Sequence, residues 1–100
     1  QFLYLLTPKR LLMLTESTPE EDETVARHFA YLKELTMQGV MILVGRTLNE
    51  DETTFGIAIF EAENESAART IMEADPAVRS GVMTATLYPY KVALMRGQNP

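Results

Sequence analysis

The stretch of residues 18–39 constrains the fold most, because it carries the start and stop signals of one long helix. Thr18 is suited to the N-cap, Pro19 to the first helical position and Glu21 to the acidic position of a capping box. Gly39 provides a residue that readily takes the left-handed conformation in which helices commonly end. The sequence therefore predicts a helix of roughly 20 residues here.

The only histidine of the chain, His28, belongs to this predicted helix. At about 100° per residue, one side of the helix collects a mainly apolar stripe. Its members are Val25, Phe29, Leu32, Leu35 and Thr36. His28 lies roughly 35° from the middle of the stripe, so its imidazole faces whatever the helix packs on. A buried imidazole needs a hydrogen-bond partner, and the identity of that partner is the first question about function.

Length, charge and cysteine content bound the class of protein. The chain is long enough for a single domain over residues 1–100, with an expected core of residues 2–95 and a polar tail of residues 96–100. The net charge of −5 argues against nucleic acid as a partner, because phosphate binding requires a basic patch. Cysteine is absent, which excludes disulfides, thiolate chemistry and cysteine-bound zinc.

The sequence carries no pattern typical of a membrane segment or a signal peptide. No apolar run approaches the roughly 18 residues of a membrane-spanning helix. The opening residues QFLYLL have no basic flank and no small-residue cleavage site. We therefore expect a cytoplasmic protein that does not bind membranes.

The remaining elements follow from apolar runs and their punctuation. Strands are predicted at residues 2–7, 40–46, 55–61 and 82–95, and a second helix begins after Asn64 and ends at or before Asp75. Residues 9–17 are ambiguous between a longer strand and a turn; a turn is favoured because Pro8 disfavours pairing. The last strand is expected to be interrupted or edged at Pro89. The order β-α-β-β-α-β predicts an α+β, ferredoxin-like split sheet with both helices on one face.

All four predicted strands are apolar on both sides, although two helices can cover only one face of the sheet. An uncovered apolar face of that size would be an association surface. We expect a second copy to cover it in an isologous homodimer, with a higher oligomer left open. A strand-rich polypeptide partner is the alternative.

Asp75 is the second residue that the sequence singles out, and two interpretations of it are compatible. In the first, Asp75 caps a short following turn, with Pro76 as its first residue and Gly81 as its exit. In the second, Asp75 reaches His28, because both helices lie on the same face of the sheet. A carboxylate beside an imidazole fixes its tautomer and leaves the other ring nitrogen available to a substrate proton.

Other sites have weaker support in the sequence. His28 could instead be a buried histidine bonded to a backbone carbonyl or a tyrosine hydroxyl. With a single histidine and no cysteine, a metal site built by the protein is not expected. The phosphate-binding and serine-nucleophile motifs are missing, and no cofactor is expected. Arg46 and Tyr88 are candidates for lining a substrate pocket; ordinary strand packing is the alternative.

Several segments resemble the YCII-related (YciI-like) proteins. The resemblance covers residues 2–95 and is carried by RHFAYLKEL, VMILVGR, FGIAIFEAE, MEADP and SGVMTATLYPYKV. Its most specific parts are the histidine of the first helix with the YL that follows, the segment ADP-x-x-x-x-G-V, and the proline of the last strand. At Arg46 the chain departs from the family, where many members have proline after the glycine. The chain also lacks the DGPF signature of the subgroup linked with sigma factors, which weakens a role in transcription.

The resemblance implies a dimeric α/β barrel in which two ferredoxin-like sheets pack face to face. It also implies an active-site pair at His28 and Asp75. Most members have no assigned reaction, and a relative is a dehydrochlorinase of a chlorinated hydroxyhydroquinone that needs no cofactor.

Two hypotheses about function follow. In the first, the protein is a cofactor-free lyase or isomerase in which His28 transfers a proton and Asp75 orients it. In the second, it is a non-catalytic module that binds a small ligand or a protein, and the pair is structural.

Overall fold

The computed structural model describes residues 1–97 of the chain. Of the predicted polar tail, the last three positions, 98–100, lie outside the described residues. The elements, in chain order, are β1 (Phe2–Pro8), a 3-10 helix (Leu11–Leu14), α1 (Pro19–Met37), β2 (Met41–Arg46), β3 (Gly56–Phe60), α2 (Glu65–Ala74), α3 (Pro76–Arg79) and β4 (Met83–Pro89). In this part of the chain, no helix combines the length and apolarity required to cross a membrane.

The strands form one sheet in the order β2-β3-β1-β4, and every neighbouring pair is antiparallel. This order results when each helix connects two parallel strands and a third strand inserts between them. The predicted ferredoxin-like split sheet is therefore confirmed.

The long helix α1 begins and ends as its sequence predicts. The Thr18 hydroxyl accepts a hydrogen bond from the Glu21 amide at 3.1 Å, and the Glu21 carboxylate accepts one from the Thr18 amide at 2.9 Å. These two bonds complete a capping box ahead of Pro19. The chain leaves the helix through Gly39, whose φ of +81° is a conformation that residues with a β-carbon rarely adopt. Local chemistry thus fixes both ends of the element that carries His28.

The second helix also has the predicted start and end. The Asn64 side chain accepts a hydrogen bond from the Ala67 amide at 2.8 Å, and the helix ends at Ala74. Asp75 is extended, with φ −62° and ψ 123°, as expected of a residue that precedes proline. The Asp75 side chain caps α3, and the chain leaves this short helix through Gly81, whose φ is +83°. The first interpretation of Asp75 is confirmed.

The end of β1 differs from the sequence prediction, which placed it at residue 7. β1 extends through Pro8, which pairs with Met83 on β4. The Lys9 amide donates a hydrogen bond to the backbone oxygen of Val82, on the β4 side. The backbone nitrogen of the preceding residue, Pro8, therefore points to the β3 side, where pairing has already ended at Leu6. Proline therefore loses no hydrogen bond at this position. Residues 11–14 form the 3-10 helix, within the segment for which a turn was favoured over strand.

The prediction that the last strand reaches residue 95 is wrong. β4 ends at Pro89, opposite Phe2 at the start of β1. Beyond that pair no strand lies opposite the chain. The following residues are anchored instead to Gln1, which accepts hydrogen bonds from the Tyr90 amide on its backbone oxygen and from the Val92 amide on its side chain, both at 3.0 Å.

Alternation along the strands separates a helix-covered face from an open face. Tyr4, Leu6, Ala58 and Phe60 point to the helices and are buried with Leu32, Ala68 and Met72. On β2, a bulge between Met41 and Leu43 sets two residues against one on β3, and Arg46 pairs with Gly56. The open face carries Leu3, Leu5, Leu43, Ile57 and Tyr88, which are half-buried or exposed.

Candidate functional site

His28 and Asp75 are in direct hydrogen-bond contact. The Nδ1 atom of His28 lies 2.7 Å from Oδ1 and 2.9 Å from Oδ2 of Asp75. The two residues are 47 positions apart in sequence and come together because α1 packs against α3, the short helix that Asp75 caps. The contact that the second interpretation of Asp75 required is present. The role of the pair in catalysis stays a prediction.

The Asp75 carboxylate is completely buried and receives three donors. Besides Nδ1 of His28, the Tyr4 hydroxyl donates to Oδ2 at 2.8 Å and the Ala77 amide donates to Oδ1 at 3.0 Å. A buried carboxylate is costly unless hydrogen bonds replace its water shell, and these donors supply the replacement. They also fix the carboxylate in one orientation, facing the imidazole.

Tyr4 is a member of this network that the sequence analysis did not identify. Its side chain is fully buried in the middle of β1, on the helix-covered face. Burial raises the pKa of the Tyr4 hydroxyl far above its ordinary range, and the charge of Asp75 and the hydrogen bond to it raise that pKa further. Tyr4 therefore remains a hydrogen-bond donor to Asp75 throughout the physiological range. The signal was present in the sequence, because a tyrosine inside an otherwise apolar strand needs a partner for its hydroxyl.

The charge of Asp75 also acts on a second tyrosine, Tyr31. The Tyr31 hydroxyl donates to the backbone oxygen of Ile71 at 2.7 Å, which ties α1 to α2. Partial burial raises the pKa of Tyr31, and the charge of Asp75 adds to that increase. Tyr31 therefore supports the packing of the two helices beside the pair without bonding to it.

The remaining ring nitrogen of His28, Nε2, is available for chemistry. A carboxylate only accepts hydrogen bonds, so Nδ1 of the neutral ring carries the hydrogen and Nε2 keeps its lone pair. Within the described residues Nε2 makes no hydrogen bond, and no buried side-chain nitrogen or oxygen lacks a partner. Nε2 is therefore accessible to solvent, although the His28 side chain as a whole is only 13% exposed.

A cavity of about 280 Å³ opens beside His28. Its walls come from β1, the 3-10 helix, α1, β2, β3 and the first residue of β4, and they are mostly apolar. Polar side chains are contributed by His28, Arg46 and Thr54 alone among the lining residues. Mostly apolar walls with a few polar groups are typical of small-molecule sites.

The structure brings three of the four predicted site residues to this cavity. His28 and Arg46 line it, and Asp75 lies directly behind His28. Tyr88 is not among the lining residues; it pairs with Leu3 on the open face of the sheet. A role for Tyr88 in this cavity of a single chain thus has no geometric support, and a role for Arg46 does.

Thr54 and Gly56 also line the cavity and were not predicted from the sequence. Thr54 is buried, and its hydroxyl lies 3.2 Å from that of Thr47. Gly56 sits on the cavity wall between Leu6 and Arg46, where the missing side chain leaves space. Neither residue carries a sequence signal, because both sites depend on how β2 and β3 pair. In the described part of the chain no three histidine or acidic side chains come close enough to hold a metal ion.

The sequence matches the family description "YCII-related domain" over residues 3–90. The chain belongs to the YCII-related family. The resemblance seen in the short segments is thereby confirmed over nearly the whole length of this YCII-related chain. No curated protein matches it in sequence.

Among solved structures, this YCII-related domain is similar to 5-chloro-2-hydroxyhydroquinone dehydrochlorinase from Burkholderia phenoliruptrix AC1100 in its complex with 2,5-dihydroxybenzoquinone. The two share 21% sequence identity, and the similarity covers 91% of this chain and 94% of the other, with a TM-score of 0.65. At that identity the similarity shows a common fold, which agrees with the predicted α+β ferredoxin-like class.

Proposed function

We propose that the protein is a small-molecule enzyme of the lyase or isomerase type that works without a cofactor. His28 is the general acid–base, acting through Nε2, and Asp75 is the positioning residue that holds the ring. The observation that carries this proposal is the asymmetry of His28, whose Nδ1 is bound to a buried carboxylate while Nε2 remains accessible beside a cavity.

The proposed chemistry is a proton transfer that drives elimination or isomerisation. Nε2 takes a proton from a C–H or O–H group of the substrate, and the electron pair left behind forms a new double bond. In a lyase, that pair expels a leaving group such as halide with its own bonding electrons. In an isomerase, the imidazolium returns the proton to a different substrate atom. Asp75 stabilises the imidazolium that forms between the two steps.

The solved structure of the dehydrochlorinase supports this class of reaction as the first to test, because that enzyme shares the fold and its name describes loss of hydrogen chloride. Proton transfer from a positioned side chain typically accelerates a reaction 10²–10⁴-fold. This is sufficient for a ring already activated by hydroxyl groups.

Halide release from chlorinated hydroquinones, followed with a halide electrode, tests the proposal. We expect turnover by the wild type and a loss of about 10²–10⁴-fold in His28→Ala. Arg27→Ala is the matched control, because Arg27 precedes His28 on α1 but is exposed and pairs with Glu23 on the outer side. Full activity in His28→Ala would disprove the role of the histidine.

The competing function is that of a non-catalytic module, and the complete satisfaction of Asp75 by three donors favours it, since a purely structural network has the same property. Such a module would bind single-ring compounds in the cavity and release them unchanged. Binding observed by calorimetry together with no product from any activated ring substrate would select this function over the enzyme.

The proposed functional unit is a homodimer formed through the open face of the sheet. Leu3, Leu5 and Ile57 are only half-buried there, and Leu43 is 50% exposed in a single chain. Covering these side chains with a second copy would remove a large apolar surface from water.

A further inference from the structure

Arg46 is the basic residue of the cavity wall, and it lies on the same side of the sheet as His28. A β-carbon placed on Gly56 would be 3.7 Å from Cβ of Arg46 and 3.8 Å from Cβ of Leu6. Since Leu6 belongs to the helix-covered core, the Arg46 side chain leaves β2 on that same side. The cationic group is therefore directed to the face that carries the cavity.

The Arg46 guanidinium has no acidic partner in the part of the chain that the structure describes. Ion pairs join Arg10 to Glu21 and Arg27 to Glu23, and no ion pair or side-chain hydrogen bond involves Arg46. Asp51, in the loop that follows β2, already accepts hydrogen bonds from Thr53 and from the side chain of Asn49, and these bonds lower the pKa of Asp51. The chain has 14 acidic residues against 9 basic ones, so the unpaired cation does not result from a shortage of acids.

The cavity has room for one substituted ring. A protein cavity of about 150 Å³ with apolar walls accommodates benzene. The cavity here, of about 280 Å³, can take a six-membered ring with two or three small substituents. Apolar side chains such as Met13, Phe29 and Val44 supply the walls that a ring would contact.

We infer that the substrate is a single-ring carboxylic acid whose carboxylate is bound by Arg46 in the cavity that His28 also lines. A guanidinium presents a planar pair of donors that matches the two oxygens of a carboxylate. A phenolic group has a single oxygen and cannot accept both hydrogen bonds in this geometry. Arg46 is thus the residue that determines specificity, while His28 performs the proton transfer. The inference rests on the proposed use of this cavity as the substrate site, but its binding component does not require turnover.

Calorimetry with three related probes tests the inference on the intact protein. Gentisate carries the carboxylate, methyl gentisate has the same ring with a neutral ester, and hydroquinone has neither group. We expect gentisate to bind at least 10-fold more tightly than the other two, since a hydrogen bond to a charged group contributes about 1.5–3 kcal/mol. Arg46→Gln should remove this preference and leave the affinity for the ester unchanged.

Two further variants complete the design. Arg69→Gln removes the same charge from an exposed position on α2 and should leave all three affinities unchanged. Arg46→Lys keeps the charge without the planar fork and should recover only part of the preference. Equal affinities of the wild type for gentisate and its ester would overturn the inference, as would a preference for gentisate that survives in Arg46→Gln.

The outcome separates this inference from the proposed function. Carboxylate selectivity that depends on Arg46, in a protein that turns over no ring substrate, would support the inference and contradict the enzymatic role. Turnover that depends on His28 with no selectivity for the carboxylate would support the enzymatic role and contradict the inference.

Discussion

The Tyr4 hydroxyl, in the centre of the sheet, donates a 2.8 Å hydrogen bond to Oδ2 of Asp75, the carboxylate that contacts His28. The sheet, α1 and α3 thus meet at the side chain of Asp75. The orientation of the imidazole therefore depends on a residue that does not line the cavity.

Replacement of Asp75 should destabilise the fold as well as the site. Asp75→Ala leaves the Tyr4 hydroxyl, the His28 Nδ1–H and the Ala77 amide without an acceptor, and we expect a loss of about 3 kcal/mol in the free energy of unfolding. Asp75→Asn retains one carbonyl oxygen and should lose clearly less. Urea unfolding followed by circular dichroism measures both changes. Equal losses in the two variants would show that the charge, rather than the acceptors, stabilises the network.

Alkaline pH should destabilise the protein through Tyr4. Because the pKa of Tyr4 in the folded protein is raised above its ordinary value of 10.0, the unfolded chain releases the tyrosine proton first. Above pH 10 the folded state therefore holds more protons, and stability falls as the pH rises. Tyr4→Phe should be less stable at neutral pH, by about 1–3 kcal/mol, and should show a shallower decline above pH 10.

The control for this experiment is Tyr88→Phe, which removes an exposed hydroxyl on the open face. Its alkaline profile should follow that of the wild type. An identical decline in Tyr4→Phe and the wild type would contradict the assignment of the effect to Tyr4.

Acid should act through the N-terminal cap of α1. The hydrogen bond from Arg10, followed by that from the Thr18 amide, lowers the pKa of Glu21 from 4.5 to about 2. Between these values the unfolded chain binds the additional proton, so the contribution of Glu21 is complete above its unfolded pKa and declines as the pH falls toward 2. Thermal unfolding of Glu21→Gln should therefore depend less on pH in this window than that of the wild type.

Glu20→Gln provides the comparison, because Glu20 is in the same turn of α1 and makes no side-chain hydrogen bond within the described residues. Its acid dependence should remain that of the wild type. If both variants lose the same part of the dependence, the effect comes from general charge near the helix start and not from the Arg10 contact.

Gly56→Ala should separate stability from ligand binding. The added methyl group would lie 3.4 Å from the Gly45 backbone oxygen and 3.7 Å from the Arg46 β-carbon, which are ordinary contacts, and φ at this position is not in the left-handed region. The fold should be retained or stabilised by up to about 1 kcal/mol, since glycine within a strand carries an entropic cost. Affinity for gentisate should nevertheless fall, because the methyl group occupies the cavity wall. Unchanged affinity would place the ligand elsewhere.

The expected homodimer can be tested on the open face. Leu5→Glu introduces a charge among the half-buried apolar residues there, whereas Ala26→Glu introduces the same side chain on the exposed surface of α1. Sedimentation should give twice the chain mass of 11.3 kDa for the wild type and Ala26→Glu, and a monomer for Leu5→Glu. A monomeric wild type at micromolar concentration would refute the dimer.

The parts of the structure that sequence predicted are those governed by local chemistry. The capping box at Thr18, the glycine exit at Gly39 and the extended conformation of Asp75 each depend on residues a few positions away. The strand order followed from the sequence of elements and from the handedness of their connections. The contact of His28 with Asp75 could be proposed because both helices were expected on one face of the sheet, and the packing of α1 against α3 brings the two side chains together.

The parts that sequence did not predict depend on pairing between distant segments. Tyr4 lies 71 positions from Asp75, and the strand pattern gives the face of Tyr4 but not the residue above it. The end of β4 at Pro89 is set by the start of β1, since a strand cannot continue where no partner lies opposite. Thr54 and Gly56 line the cavity because β2 pairs with β3, and these two strands are distant from His28 in the sequence.

The bulge near the start of β2 has a consequence for comparing members of the family. In a regular strand, side chains alternate between the two faces, so Arg46 would lie on the face opposite to Met41. Because the bulge adds one residue between them, Met41 and Arg46 both lie on the helix-covered face. In a relative without that extra residue, the equivalent of Arg46 would lie on the open face of the sheet, even if the two sequences aligned perfectly at the glycine. The face on which the residue after this glycine lies therefore depends on whether β2 contains the inserted residue.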